Sequence, residues 1–220
     1  MTGAPQLYII TDRRATGGRP LPSVIATALA GAAPAIRRGA RIAVQLREKD
    51  LPTRDLLDLA RQLRAVTAAA GAALFVNDRV DVALAVEADG VHLGGRSLSP
   101  SDVAAVAPAL PVAVSLHRPD EIAAATRHTN VQFAVFSPVY WTPEKTTPVG
   151  ITGSRGLAAA VTAAKRFGRP LPILALGGVG PQQIPECRTA GASGVACIRA
   201  VLAAPDPDQI VAQILISAEN

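Results

Sequence analysis

Aromatic side chains account for only 3% of this 220-residue chain. Grooves for single-stranded nucleic acid interleave basic and aromatic residues, and no lysine- or arginine-rich block occurs here, so nucleic acid is not an expected partner. Cysteine is almost missing too. Cys187 and Cys197 have no CxxC spacing and no histidine pair beside them, which argues against a disulfide framework and a zinc site. No apolar run is long enough to cross a bilayer, and no basic, apolar and cleavable segment opens the chain. The expectation is therefore a cytoplasmic protein with no membrane contact. What remains is a chain 49% hydrophobic with a net charge of +5. That is enough for one large core, read as a single domain over residues 1–220, with a charge that suits small anions.

The apolar runs are short and evenly spaced. Leu7 to Thr11 predicts a first strand, ending at Asp12-Arg13-Arg14 and a Gly/Pro-rich loop. An alanine-rich helical pattern runs from Ser23 to about Arg37, with Ser23 placed as N-cap and Gly39 as terminator. A strand over 41–48 follows, then a helix that Thr53 would cap and that Gly71 would stop after Ala70. Strands are expected at Ala73–Val76, Gly90–Leu93, Pro111–Leu116, Val131–Val139, Leu171–Leu176 and Gly194–Ile198. Helices fall between them, at Val80–Val86, from Ser99-Pro100, from Pro119, at Ser154–Phe167, at about Pro181–Ala190 and at Asp206–Ile216. Eight strand-then-helix units with short connections predict an α/β chain closed into a (β/α)8 TIM barrel. No G-x-G-x-x-G follows the first strand, which argues against an open doubly wound sheet.

In such a barrel the site lies at the carboxyl ends of the strands. Polar residues stand at those ends here. In the stretch 41–49, Ile42, Val44 and Leu46 suit a buried face, and the period of two places Gln45, Arg47 and Lys49 together on the other. Asn77-Asp78, Ser115 with His117, and Gly177-Gly178 close other strands in the same manner. Glycines after strand seven leave backbone N–H groups free to approach an anion, and Ile198, Arg199 and Ala200 after strand eight would complete a phosphate cup.

Six segments in order, Gln-Leu-Arg-Glu-Lys (45–49), Phe-Val-Asn-Asp-Arg (75–79), Ala-Asp-Gly-Val-His-Leu-Gly (88–94), Val-Ser-Leu-His (114–117), Ser-Pro-Val-Tyr-Trp-Thr-Pro-Glu-Lys (137–145) and Leu-Gly-Gly-Val (176–179), resemble the thiamine-phosphate synthase/TenI superfamily. The resemblance implies a barrel acting on a small phosphorylated thiazole, with homo-oligomers possible. Synthases of this family join hydroxymethylpyrimidine diphosphate to thiazole phosphate with Mg2+ held partly by two aspartates. Asp78 matches the first, but Ser97 stands where the second belongs, and Glu144 stands where a hydroxyl in the Thr142-to-Lys145 loop would hold phosphate oxygens.

Both departures resemble the TenI-type thiazole tautomerases, which need no metal. The leading expectation is therefore metal-independent tautomerisation of a thiazole carboxylate phosphate. The synthase reaction, with Mg2+ and Asp78 as its ligand, is the alternative, and a non-catalytic thiazole phosphate-binding regulator is a third reading. By this reading His117 is the proton shuttle, with Lys145 next in line and Ser115 assisting. Arg47 and Lys49 attract the anionic groups, Gln45 and Asn77 orient the heterocycle, and Thr142, Gly177, Gly178, Ile198 and Arg199 meet the phosphate. His92, inside strand four, is expected to be buried and structural.

Overall fold

In a computed structural model, which describes residues 3–142, 150–166 and 170–219, the strands close into a barrel in sequence order, every neighbouring pair parallel. The strands are β1 (Leu7–Ile10), β2 (Ile42–Leu46), β3 (Ala73–Asn77), β4 (Gly90–Leu93), β5 (Val112–Leu116), β6 (Val131–Phe136), β7 (Ile173–Leu176) and β8 (Gly194–Cys197). Outside them lie α1 (Leu21–Arg37), α2 (Thr53–Ala70), α3 (Val80–Ala85), α4 (Pro100–Val106), α5 (Pro119–Ala125), α6 (Gly153–Lys165), α7 (Ile184–Thr189), the short α8 (Arg199–Leu202) and α9 (Pro207–Glu219). Among the described residues no helix is long and apolar enough to cross a membrane.

Boundaries differ from the sequence pattern where proline decides them. Ser23 is not the N-cap of α1. That helix begins at Leu21 after Pro20, because a proline such as Pro22 fits the first turn, where its missing N–H would have no partner. Thr53 is likewise the first residue of α2, capped by Pro52. Strand six stops at Phe136 rather than Val139, just before Ser137 and Pro138, and proline has no N–H for a ladder. The helix expected over 181–190 is a 3-10 turn, Pro181–Gln183, followed by α7, whose second residue is Pro185. Gly71 ends α2 in the left-handed region as expected, and Ser99 caps α4 with a reciprocal bond to Asp102.

Two apolar layers share the strands by their period of two. Leu7, Ile9, Ile42, Val44 and Leu46 face outward under the helices, and Tyr8, Ile10, Ala43, Phe75, Ala113, Phe133 and Ala196 fill the barrel. β2 is thus buried on both faces, and the face that carries Gln45 is the barrel interior rather than a solvated one. Tyr8, Phe75 and Phe133 form a floor of edge-to-face rings with centroids 5.2 to 5.9 Å apart, each such pair worth about 0.5–1.5 kcal/mol beyond its burial. Alanines opposite them leave the room those rings need.

Gly90 belongs to the same jigsaw. A Cβ there would stand 2.3 Å from Phe75 Cε1 and 2.7 Å from the Pro111 carbonyl oxygen. Gly90→Ala should therefore cost about 1–3 kcal/mol by overpacking, whereas Gly95→Ala, with nothing within 4 Å of its Cβ position, should stay within about 0.5 kcal/mol of wild type. Chemical denaturation of the two variants checks this. Equal stability of both would show that the floor can yield.

Candidate active site

A cavity of about 760 Å³ opens at the carboxyl ends of the strands. Its wall includes Gln45, Arg47, Lys49, Asn77, Ser115, His117, Thr142, Gly177, Gly178, Ile198 and Arg199, so the structure brings together nearly all the residues nominated from sequence. Asp78 lies beside it, in an adjoining cavity of about 530 Å³ that shares Lys49, Asn77, Gly94 and Gly95 with the first. Lys145 and Glu144 fall outside the described residues. Asp12, Ser137, Trp141 and Gln183, to which the sequence assigned no role, also line the main cavity, as does Val179 of the glycine segment after strand seven. Asp12 and Ser137 are polar residues just past a strand end, a common signal, whereas Trp141 and Gln183 lie further along the chain.

The run Arg47-Glu48-Lys49 divides by direction. Arg47 and Lys49 face the main cavity, whereas Glu48, 6% exposed, is tied back to strand one. It accepts from the Arg13 backbone N–H and guanidinium, each at 3.0 Å. Arg13 also forks onto Asp50 at 2.7 and 2.6 Å, and these charge-assisted bonds keep the Asp50 carboxyl well below the usual range. The ends of β1 and β2 are thereby clamped. The cations left facing inward repel one another: burial first, then Arg47 and Arg96, lower the Lys49 pKa, against an opposing pull from Asp78. Arg96 belongs to the Gly95-Arg96-Ser97 segment, where the sequence pattern assigns no role to the arginine itself.

Asp78 has φ 61°, in the left-handed region that non-glycine residues seldom occupy. The Asn77 carbonyl accepts from Arg79 N–H at 2.7 Å across it, a three-residue turn that holds the aspartate in place. Strain of this kind gathers at functional sites. One carboxylate oxygen accepts from Asn77 Nδ2 at 2.8 Å, and the other accepts from the Ser97 hydroxyl. Because a carboxylate only accepts, Asn77 must turn its amide N–H to Asp78 and its oxygen to Gln45. Gln45 Nε2 donates to that oxygen at 3.0 Å. The sequence of donors leaves Gln45 Oε1 buried with no partner, the one such side-chain atom among the described residues.

Two histidines occupy different settings. His117 Nδ1 lies 2.6 Å from the Ser137 carbonyl oxygen, which can only accept, so Nδ1 carries a proton and the lone pair of the neutral ring is on Nε2. That leaves a base at the cavity wall. His92 is 2% exposed, as expected of it, but it is not remote from the site, since its Nε2 lies 2.7 Å from Ser115 Oγ. Burial pushes its pKa down to about 3, so it is neutral at physiological pH.

At the far side, Gly177 (φ 102°) and Gly178 (φ 63°) take backbone conformations that other residues resist. A Cβ on Gly178 would also lie 2.6 Å from the Trp141 carbonyl oxygen, so this glycine lets the segment after β6 close against the segment after β7. Among the described residues neither Gly178 nor Val179 donates its N–H to a protein acceptor. Ile198, Arg199 and Ala200 at the start of α8 line the same side, and the first N–H groups of a helix have no partner within it.

A family model described as "Thiamine monophosphate synthase" matches residues 7–201. The chain is 47% identical over 209 residues to a putative thiamine-phosphate synthase of Geobacter sulfurreducens, a match covering 91% of this chain and 88% of that one. It is 39% identical over 212 residues to a thiamine-phosphate synthase of Roseiflexus castenholzii, covering 94% and 85% respectively. Among solved structures, a thiamine phosphate pyrophosphorylase from Pyrococcus furiosus superposes with a TM-score of 0.82 at 31% identity, over 97% of this chain and 95% of that one.

The lowered Lys49 pKa has a consequence for anion binding. A lysine whose pKa is depressed loses its charge at a lower pH than an ordinary one, so affinity for inorganic diphosphate should fall as pH rises through that lowered value. Lys49→Arg keeps its charge throughout and should move the loss to higher pH, as titration calorimetry across the alkaline range would show. An alkaline limb that does not move would mean that Lys49 does not meet the anion.

Proposed function

The chain belongs to the thiamine monophosphate synthase family, and from that premise we propose that this thiamine-biosynthesis enzyme joins hydroxymethylpyrimidine diphosphate to thiazole phosphate and releases diphosphate. The observation that carries the reading is the orphaned Gln45 Oε1. A buried acceptor without a partner costs about 1–3 kcal/mol, and it is matched by a ligand that donates there. The amino group of the pyrimidine donates. Neither tautomer of the thiazole carries an N–H, so a site for thiazole alone leaves this atom unpaired.

The charge distribution supports the same choice. Arg47, Lys49 and Arg96 form a cationic pole that suits a diphosphate better than a single carboxylate. The glycine turn after β7 and the start of α8 offer a second, separate pole for the phosphate of the thiazole. Two anion poles in a cavity also lined by Gln45, Asn77 and Ser115 fit two phosphorylated substrates. In the reaction the bond from the pyrimidine methylene carbon to the diphosphate oxygen breaks, and the electron pair leaves with the diphosphate. The thiazole nitrogen lone pair forms the new C–N bond. Fixed cations at the departing oxygens stabilise the charge that develops there.

The family resemblance brings Mg2+ with the synthase reaction. The described residues offer Asp78 as the carboxylate at this pole, and both of its oxygens are engaged, by Asn77 and Ser97. No group of three or more metal-binding side chains occurs among those residues. Mg2+ of this kind is held by one or two carboxylates together with substrate phosphates, so Asp78 is the residue that would hold it here, and the ion would share the diphosphate charge with Arg47, Lys49 and Arg96.

Tautomerisation of a thiazole carboxylate phosphate is the second reading, and two observations favour it. Ser97 occupies the place of a second carboxylate, and His117 Nε2 stands ready as a base at the wall. A purified full-length protein given each substrate set separates the readings. Condensation with release of diphosphate is expected. Proton exchange on the thiazole carboxylate phosphate without condensation would put the second reading in its place, and there His117→Ala should cost about a hundred- to ten-thousand-fold. Under the first reading Gln45→Leu should lower kcat/KM for the pyrimidine diphosphate by about tenfold while the KM for thiazole phosphate stays the same. An equal loss on both substrates would detach Gln45 from the pyrimidine.

A further inference from the structure

Beneath Ser115 runs a chain of hydrogen bonds that the reaction described above does not use. The Tyr8 hydroxyl is fully enclosed in the barrel floor beside Phe75 and Phe133. Its hydrogen-bond neighbour among the described residues is His92 Nδ1, at 3.2 Å. The other ring nitrogen, Nε2, lies 2.7 Å from Ser115 Oγ, and Ser115 lines the main cavity. We propose that Tyr8 and His92 are positioning residues whose hydrogen bonds hold the Ser115 hydroxyl as a donor to an acceptor atom of the bound substrate.

The direction of the chain follows from where a proton can go. If the phenol donates to Nδ1, every polar hydrogen in the floor is paired. If Nδ1–H donated to the phenol oxygen instead, the phenolic proton would be stranded against aromatic rings, and a stranded buried donor is costly. Nδ1 is therefore bare. A doubly protonated ring is excluded by the burial of His92, which holds its pKa down to about 3, with Asp78 raising it and Arg47 lowering it to smaller extents. The remaining ring proton sits on Nε2 and is donated to Ser115 Oγ. Once that oxygen accepts from the ring, the serine proton is left for the cavity.

The pairing has a geometric basis in the strands. Asn77 is level with His92, and His92 is level with Ala113, in the β3, β4 and β5 registers. Ser115 is two residues beyond Ala113 and so on the same inward face, one step nearer the mouth. His92 and Tyr8 rings also stack, with centroids 5.7 Å apart and planes 24° apart, which limits rotation of the imidazole. The serine hydroxyl is thereby set as a donor before substrate arrives. Its partner is an anionic oxygen or an unprotonated ring nitrogen.

The inference rests on the proposed condensation only for the identity of that acceptor, so the test has two arms. In the first, the ligand-free full-length protein is labelled with 15N-histidine, and the tautomer of each of its three histidines is read from two-bond proton–nitrogen correlations. Signals assigned with His117→Asn and His128→Asn leave His92 by elimination. His92 should carry its proton on Nε2 and stay unchanged between about pH 5.5 and 8, in contrast to the Nδ1–H tautomer of neutral His117. A proton on Nδ1 of His92 would overturn the chain.

In the second arm, Tyr8→Phe should lower kcat/KM for condensation by about tenfold in the wild-type background. It should have no further effect on a Ser115→Ala background, because the chain acts through that serine. Equal losses in both backgrounds would make Tyr8 merely structural. If the protein does not condense the two substrates at all, the labelled-histidine arm still decides the chain, and the two failures are told apart.

Discussion

The polarity of the barrel mouth depends on one carboxylate. Asp78 only accepts hydrogen bonds, and that constraint propagates: it fixes which way Asn77 faces, which in turn fixes Gln45. The result is a buried, unpaired acceptor on a cavity-lining residue that neither titrates nor carries charge. Asp78 is also the local counter-charge for Lys49, between Arg47 and Arg96. Its left-handed backbone conformation is one of two among the described non-glycine residues, so the chain bends unfavourably to put this group where it stands.

A second chain, through Tyr8 and His92, starts from the opposite requirement, a buried phenol that must donate. The two chains end on residues that line the same cavity, Gln45 with an unpaired acceptor and Ser115 with the donor role proposed for it. The second chain rises from the aromatic floor, where the surroundings are apolar and enclosed, so its hydrogen bonds are stronger than they would be in water and a wrong orientation is more costly. The first reaches out to Asp78 at the exposed rim. A rigid floor is what lets short side chains hold fixed directions.

Much of this architecture was legible in the sequence because the strand signal is simple. Apolar runs at regular spacing, each followed by a helical pattern, gave all eight strands in order. Polar residues at the strand ends pointed to the main cavity without any reference to contacts. What stayed hidden depends on partners distant along the chain. Glu48 sits between two site cations yet turns back to Arg13, which no local pattern reveals. His92 was rightly placed as buried, but its bond to Ser115 crosses between strands. Arg96 was overlooked because its charge matters only once Arg47 and Lys49 are close. The preference for tautomerisation rested on Ser97 and Glu144, whereas the names of the relatives and the unpaired oxygen of Gln45 favour condensation. Helix starts were misplaced where proline, which reads as a breaker, instead opens the first turn.

Trp141, 67% exposed on the cavity wall, is the chain's one tryptophan. Its carbonyl oxygen rests where any side chain on Gly178 would have to go, so the backbone that carries the indole packs against the segment proposed to meet phosphate. Light absorbed at the red edge of the protein's spectrum is therefore emitted from the rim of the site and from nowhere else in the chain. The molecule carries its own optical gauge of occupancy, free of the background that a second indole elsewhere in the barrel would contribute.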